Sequence, residues 1–123
     1  MRRGFTTLAF LAASLACASA AGAELGPNHV TSVKLTSIPG AEGGAEIEIV
    51  GTATPMYNVR AAEGGTRLFV EIANADVLGA KAAITDPAGV VGGVLTQGYR
   101  TATGSVTRLV VNLSKKATYR VLS

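Results

Sequence analysis

The stretch Thr66-Arg67-Leu68-Phe69-Val70-Glu71-Ile72, "TRLFVEI", alternates: Leu68, Val70 and Ile72 fall on one side of an extended chain, and Arg67, Phe69 and Glu71 on the other. A period of two marks a strand with one buried and one exposed face. The pattern returns as Thr107-Arg108-Leu109-Val110-Val111-Asn112-Leu113, "TRLVVNL", with Leu109, Val111 and Leu113 opposite Arg108, Val110 and Asn112. Ala45, Ile47 and Ile49 alternate with Glu46 and Glu48 in the same way. Shorter runs rich in β-branched or aromatic residues lie at 30–38, 56–61, 94–99 and 118–122, which reads as about seven short strands.

Turn residues separate these runs at hairpin spacing: Pro39-Gly40 with Gly43-Gly44, Glu63-Gly64-Gly65, Thr103-Gly104, and Ser114-Lys115-Lys116. Only 73–93 is long and irregular. It is expected to cross between sheets, with one helical turn over 77–81. No window carries a helical stripe, so the expected fold is all-β, a small antiparallel β-sandwich. The recurrence of the arginine-led strand reads as two similar half-sheets, each contributing one copy and packing on one core. Two copies are too few for a solenoid.

The amino terminus is set apart from this fold. Met1-Arg2-Arg3 is basic, 8–16 is apolar, and small residues follow with Ala18-Ser19-Ala20 and Ala21-Gly22-Ala23 as Ala-x-Ala sites. This is the layout of a secretory signal peptide, expected over 1–20 with cleavage after Ala20 or after Ala23. The apolar run is about half the roughly 20 residues a membrane helix needs, and no later stretch approaches that length, so no membrane span is expected in the mature chain. Cys17 is the sole cysteine and lies within the leader. Ser14 stands three residues before it, where a lipoprotein site usually carries leucine. Without disulfides, about 100 mature residues hold one domain together by burial alone.

Loss of Arg2 and Arg3 from the eleven basic residues leaves nine against eight acidic ones. A nearly neutral mature chain gives no support to nucleic-acid binding. Catalysis lacks its parts as well. His29 is the only histidine and sits at the mature amino-terminal edge, while Asp76 and Asp86 lie in the irregular segment, where aspartate serves turns. No nucleophile–base pair, carboxylate pair or metal-ligand spacing is present, so neither an enzyme nor a metal or other cofactor is expected. The glycine pairs are not followed by a lysine and a helix and form no phosphate loop.

Three stretches, "HVTSVKLTSIPG" from His29, "GAEIEIVGTATPMYNVRAAEGGTRLFVEIANADVLG" from Gly44 and "VGGVLTQGYRTATGSVTRLVVNLSKKATYRV" from Val91, together resemble an AMIN domain. The order is a first strand and turn, an acidic alternating strand, a Pro-x-Tyr-x-Val segment, an Arg-Leu-x-Val-acid strand, a crossover and a second arginine strand. The resemblance implies a periplasmic β-sandwich of two similar half-sheets over 28–123. Such domains precede the catalytic domain of N-acetylmuramoyl-L-alanine amidases and the pore of type IV pilus secretins. They bind peptidoglycan and localise the machine attached to them. The sequence departs from the family at Glu71 and Asn112, where aspartate is frequent, and it lacks the strand the family usually adds after the last tyrosine segment. An amidase or secretin domain is also absent from it.

Peptidoglycan offers sugar faces that stack on aromatic rings and carboxylates that pair with guanidinium. The alternation turns Arg67, Phe69 and Arg108 outward, and Tyr57, Tyr99 and Tyr119 each have an arginine nearby at Arg60, Arg100 and Arg120. The expected contact set is Arg67, Arg108, Phe69, Tyr57, Arg60, Tyr99 and Arg100. The same residue types also serve protein interfaces, so an assembly domain that touches a secretin or another envelope protein and no glycan is the alternative.

Overall fold

The computed structural model of the protein describes residues 5–10, 15–16, 19–20, 27–40 and 42–122. The described strands are β1 (Phe5–Phe10), β2 (Leu15–Ala16), β3 (Ser19–Ala20), β4 (Asn28–Ser37), β5 (Ala45–Gly51), β6 (Met56–Ala62), β7 (Arg67–Ala73), β8 (Ala75–Val77), β9 (Ala83–Ile84), β10 (Val91–Thr101), β11 (Gly104–Leu113) and β12 (Tyr119–Leu122). A single 3-10 turn, Glu63–Gly65, joins β6 to β7. The seven strands expected from periodicity all form. The leader's cleavage sites fall partly on 17–18 and 21–26, outside the described residues.

Two sheets pack face to face. One runs β12-β1-β5-β4-β8, with β2 and β3 also beside β1, and the other runs β6-β7-β11-β10-β9. The apolar parity of each strand points into the space between them: Val30, Val33, Ile47 and Ile49 from the first sheet meet Leu68, Val70, Ile72, Val94, Leu109 and Val111 from the second. Tyr119 and Val121 of β12 pack against this core from one side. Burial of alternate β-branched and leucine side chains supplies the main driving force for the sandwich, at roughly 1.5–3 kcal/mol for each large one.

The segment 73–93 crosses between the sheets as expected, but with no helical turn. It forms β8 and β9 instead, and β8 pairs in parallel with β4, Asn28 opposite Ala75 and Val30 opposite Val77. Among the described residues this is the one parallel ladder in an otherwise antiparallel sandwich. Asn28 also fixes the bend after β5, because its Oδ1 accepts the Thr52 and Ala53 amides at 3.0 and 3.3 Å.

The echoed strands are arranged differently from the sequence reading. They do not lie one per half-sheet. Strands β7 and β11 are adjacent in the same sheet and antiparallel, with Arg67 opposite Asn112, Phe69 opposite Val110, Val70 opposite Leu109 and Glu71 opposite Arg108. An antiparallel pair is related to itself by a local two-fold, so one motif written twice becomes a reciprocal pairing: the arginine of each copy faces the last polar residue of the other.

Candidate functional site

The outer face of the five-stranded sheet follows from this register. Strand β7 presents Arg67, Phe69 and Glu71, and β11 presents Asn112, Val110 and Arg108 beside them. The edge strand β6 sets Asn58 against Glu71 and Arg60 against Phe69. On the other side β10 sets Leu95 against Val110, Gln97 against Arg108 and Tyr99 against Val106. Phe69 thus lies at the centre of a surface whose opposite parity is locked in the core.

Charge on this face is distributed unequally. One carboxylate oxygen, Glu71 Oε2, accepts from Arg108 Nη2 at 2.7 Å, from Arg108 Nε at 3.1 Å and from the Tyr99 hydroxyl at 2.8 Å. Arg108 Nη2 also donates to the Tyr99 oxygen at 2.9 Å, closing a three-residue ring. The second copy of the motif has asparagine where the first has glutamate. Arg67 Nε donates to Asn112 Oδ1 at 3.2 Å, which leaves its charge opposed only by Glu63, at 3.4 Å and well exposed. An exposed pair at that distance is worth little.

Aromatic rings organise the cations. The Arg60 guanidinium lies 4.8 Å from the centre of Phe69, and Arg108 lies 5.6 Å from Phe69 and 5.1 Å from Tyr99. Arg60 makes no ion pair among the described residues. The face therefore carries one satisfied cation, Arg108, and two, Arg60 and Arg67, with capacity for an external anion. A planar guanidinium stacked on a ring is already oriented to meet a carboxylate with two parallel N–H groups.

The ring of hydrogen bonds also sets titration behaviour. Donation by Arg108, then by Tyr99, holds the Glu71 carboxyl below its ordinary value of 4.5. The same carboxylate pushes the Tyr99 phenol above 10.0, since its hydrogen is held by an anion, and raises Arg108 further. A carboxyl with a depressed native value stabilises the fold fully above the unfolded value, and that contribution is lost as pH falls through the native one. Wild type should therefore lose stability below about pH 4.5, and Glu71→Gln should flatten that acid limb in urea titrations followed by circular dichroism. An acid limb of equal depth in the variant would show that Glu71 is not coupled to folding.

Five of the expected contact residues, Arg60, Arg67, Phe69, Tyr99 and Arg108, share this face. Tyr57 does not share its parity. It pairs with Ile72, but on the edge strand it remains 37% exposed and, with Met56, Asn58, Glu71, Tyr99 and Thr103, lines a groove of about 530 Å³ at one end of the face. Arg100 is the residue the structure sets apart: it pairs with Ser105 on the other parity and lines a separate depression with Asp76 and Val77. Periodicity left Asn58, Leu95 and Gln97 unnamed, although each has the outward parity of its strand, and Val110, outward on the alternation, lies outside the expected contact set. His29 Nδ1 contacts Asp76 Oδ1 at 2.5 Å on the exposed surface. No helix among the described residues is long and apolar enough to cross a membrane.

A family model described as the AMIN domain matches residues 35–122. The chain belongs to the AMIN domain family. The match runs from the last residues of β4 to the end of β12 and takes in the whole five-stranded sheet. AMIN domains are periplasmic, non-catalytic modules that bind peptidoglycan. No curated protein and no solved structure gives a significant match. Within the AMIN region, Glu71 and Asn112 are the cross-strand partners of the two arginines, so the departure from aspartate at Glu71 keeps the charge beside Arg108, whereas the one at Asn112 removes a negative charge beside Arg67.

Proposed function

We propose that this AMIN domain is exported by the leader at 1–20 and binds peptidoglycan through the outer face of its five-stranded sheet. In doing so it anchors or positions an envelope machine of the type IV pilus secretin or cell-wall amidase kind. The observation that carries the reading is the contrast between the two outer faces. One presents Arg60, Arg67 and Arg108 around Phe69 and Tyr99. The other presents Glu46 and Glu48 of β5 beside Thr36 and Lys34 of β4, two strands that carry no Phe, Tyr or Trp. A stem-peptide carboxylate meets Arg60 or Arg67, and a sugar ring stacks on the exposed aromatic edge.

Co-sedimentation with isolated sacculi tests this reading. The folded protein should pellet with sacculi and be released by soluble muropeptides. A protein that stays in the supernatant is the outcome of an assembly domain with no glycan contact. Pelleting that vanishes at moderate salt and resists muropeptide competition would mark unspecific charge attraction and overturn the reading.

A further inference from the structure

Of the strands that pair with β1, β2 and β3 belong with it to the leader, and the other two, β5 and β12, are joined to each other only through it. In β5, Val50, Ile49, Glu48 and Ile47 pair with Phe5, Thr6, Thr7 and Leu8; in β12, Leu122, Val121, Arg120 and Tyr119 pair with Thr7, Leu8, Ala9 and Phe10. Both ladders are antiparallel, and β5 and β12 make no ladder with one another. Between them lies room for one strand, two inter-strand spacings of about 4.7–4.9 Å wide. The inner wall of this slot belongs to the core: Ile47 is fully buried, Ile49 nearly so, and Tyr119 and Val121 pack on the same cluster.

The segment that fills the slot, Phe5–Phe10, lies inside the leader. We propose that the slot is a strand-acceptor site. The leader strand holds it in the unprocessed chain, and after processing it receives one extended segment of another polypeptide, antiparallel to both β5 and β12. The inference rests on the leader being cleaved. Departure of Phe5–Phe10 leaves two facing rows of backbone donors and acceptors with apolar side chains beneath them, and such paired edges take up an incoming strand by main-chain hydrogen bonds.

Register specifies the occupant. Positions in line with Ile49, with Ile47 and Val121, and with Tyr119 sit on the core parity and call for apolar residues. The positions between them align with Glu48 and Leu122 and with Arg120, on the solvent parity, and take polar residues. The partner is therefore a run of about six residues with apolar groups at alternate places. It carries no proline at the centre, where both N–H and C=O enter ladders.

The test uses the full chain with a specific protease site placed between Ala23 and Glu24, folded first and cut afterwards. The probe is a synthetic peptide of residues 4–12 with two lysines added for solubility, alongside its Thr7→Pro version. After cutting, the leader fragment should stay bound and be displaced by excess peptide. Stripping it should speed amide hydrogen exchange in Ala45–Gly51 and Tyr119–Leu122 at least tenfold, and the peptide should restore protection. The Thr7→Pro peptide should bind at least tenfold more weakly. Exchange that is unchanged after the fragment is stripped, or equal restoration by the proline peptide, would overturn the slot. The mass of the exported protein is a separate readout: a retained leader overturns the processing reading and, with it, uptake of a second chain's segment, while the exchange data still decide the slot itself.

Discussion

Alanine at both Arg60 and Arg67 is expected to weaken retention on sacculi by about tenfold or more, while stability stays within about 0.5 kcal/mol of wild type. Both side chains stand on the solvent parity, and neither supports a buried partner. Arg60 rests on Phe69 at 4.8 Å, and Arg67 meets Asn112 at 3.2 Å and an exposed Glu63. Hydrogen bonds to a charged group contribute roughly 1.5–3 kcal/mol each, and a tenfold loss corresponds to about 1.4 kcal/mol. Losing one such contact therefore reaches about the tenfold mark, and the double change removes it whichever of the two arginines meets the carboxylate. Arg108 is the wrong residue for this experiment. Its guanidinium is committed to Glu71 and Tyr99, and alanine there strands a half-buried carboxylate, mixing a folding defect with a binding one. Lysine at positions 60 and 67 should give an intermediate loss, since it keeps charge but not the flat stacking surface. Full retention in the alanine pair would remove both arginines from the contact.

Gly89→Ala is expected to destabilise the sandwich by about 2–4 kcal/mol. At Gly89 φ is +53°, and an added Cβ would come within 2.5 Å of the Gly43 and Gly44 carbonyl oxygens. Those oxygens belong to backbone in the turn joining β4 to β5 and have no flexible end to yield. The Val90 amide bonds to the Gly43 oxygen at 2.8 Å just beyond, so the contact ties a turn of one sheet to the entry of β10 in the other. Relief of the clash pulls Val90, 2% exposed, and Val91, fully buried, out of register with the core. Gly40→Ala is the matched control, with φ at +79° and open space around the added carbon. It should cost only the backbone preference, about 1 kcal/mol. Equal midpoints for the two variants in urea unfolding would show that the 43–44 contact is not tight.

How much of this was legible in the sequence depends on range. The parity of "TRLFVEI" and "TRLVVNL" assigns Leu68, Val70, Ile72, Leu109 and Val111 to the core and Arg67, Phe69 and Arg108 to the surface, because side-chain alternation is a local property of one strand. Pairing is not local. Nothing within either copy states that the other is its neighbour, so the reading as two half-sheets placed them apart. The reciprocal contacts of Arg67 with Asn112 and Arg108 with Glu71 appear only once the register is known. The segment Ala75–Val77 is too short for a period to show and pairs with β4 through its backbone. Tyr119 follows Lys115-Lys116 in a polar context, yet its parity in β12 turns it against the core. Arg100, adjacent to Tyr99, shows the cost of reasoning from sequence proximity: neighbours along a strand point to opposite faces.

Chemical-shift mapping with a soluble muropeptide most directly tests the claim that the outer face of the five-stranded sheet carries the wall contact. At moderate salt, the expected perturbations centre on the amides of Arg60, Arg67, Phe69, Val110 and Tyr99, with Lys34, Glu46 and Glu48 on the opposite face unmoved. Shifts centred on Lys34, Glu46 and Glu48, or none at saturating muropeptide, would contradict it.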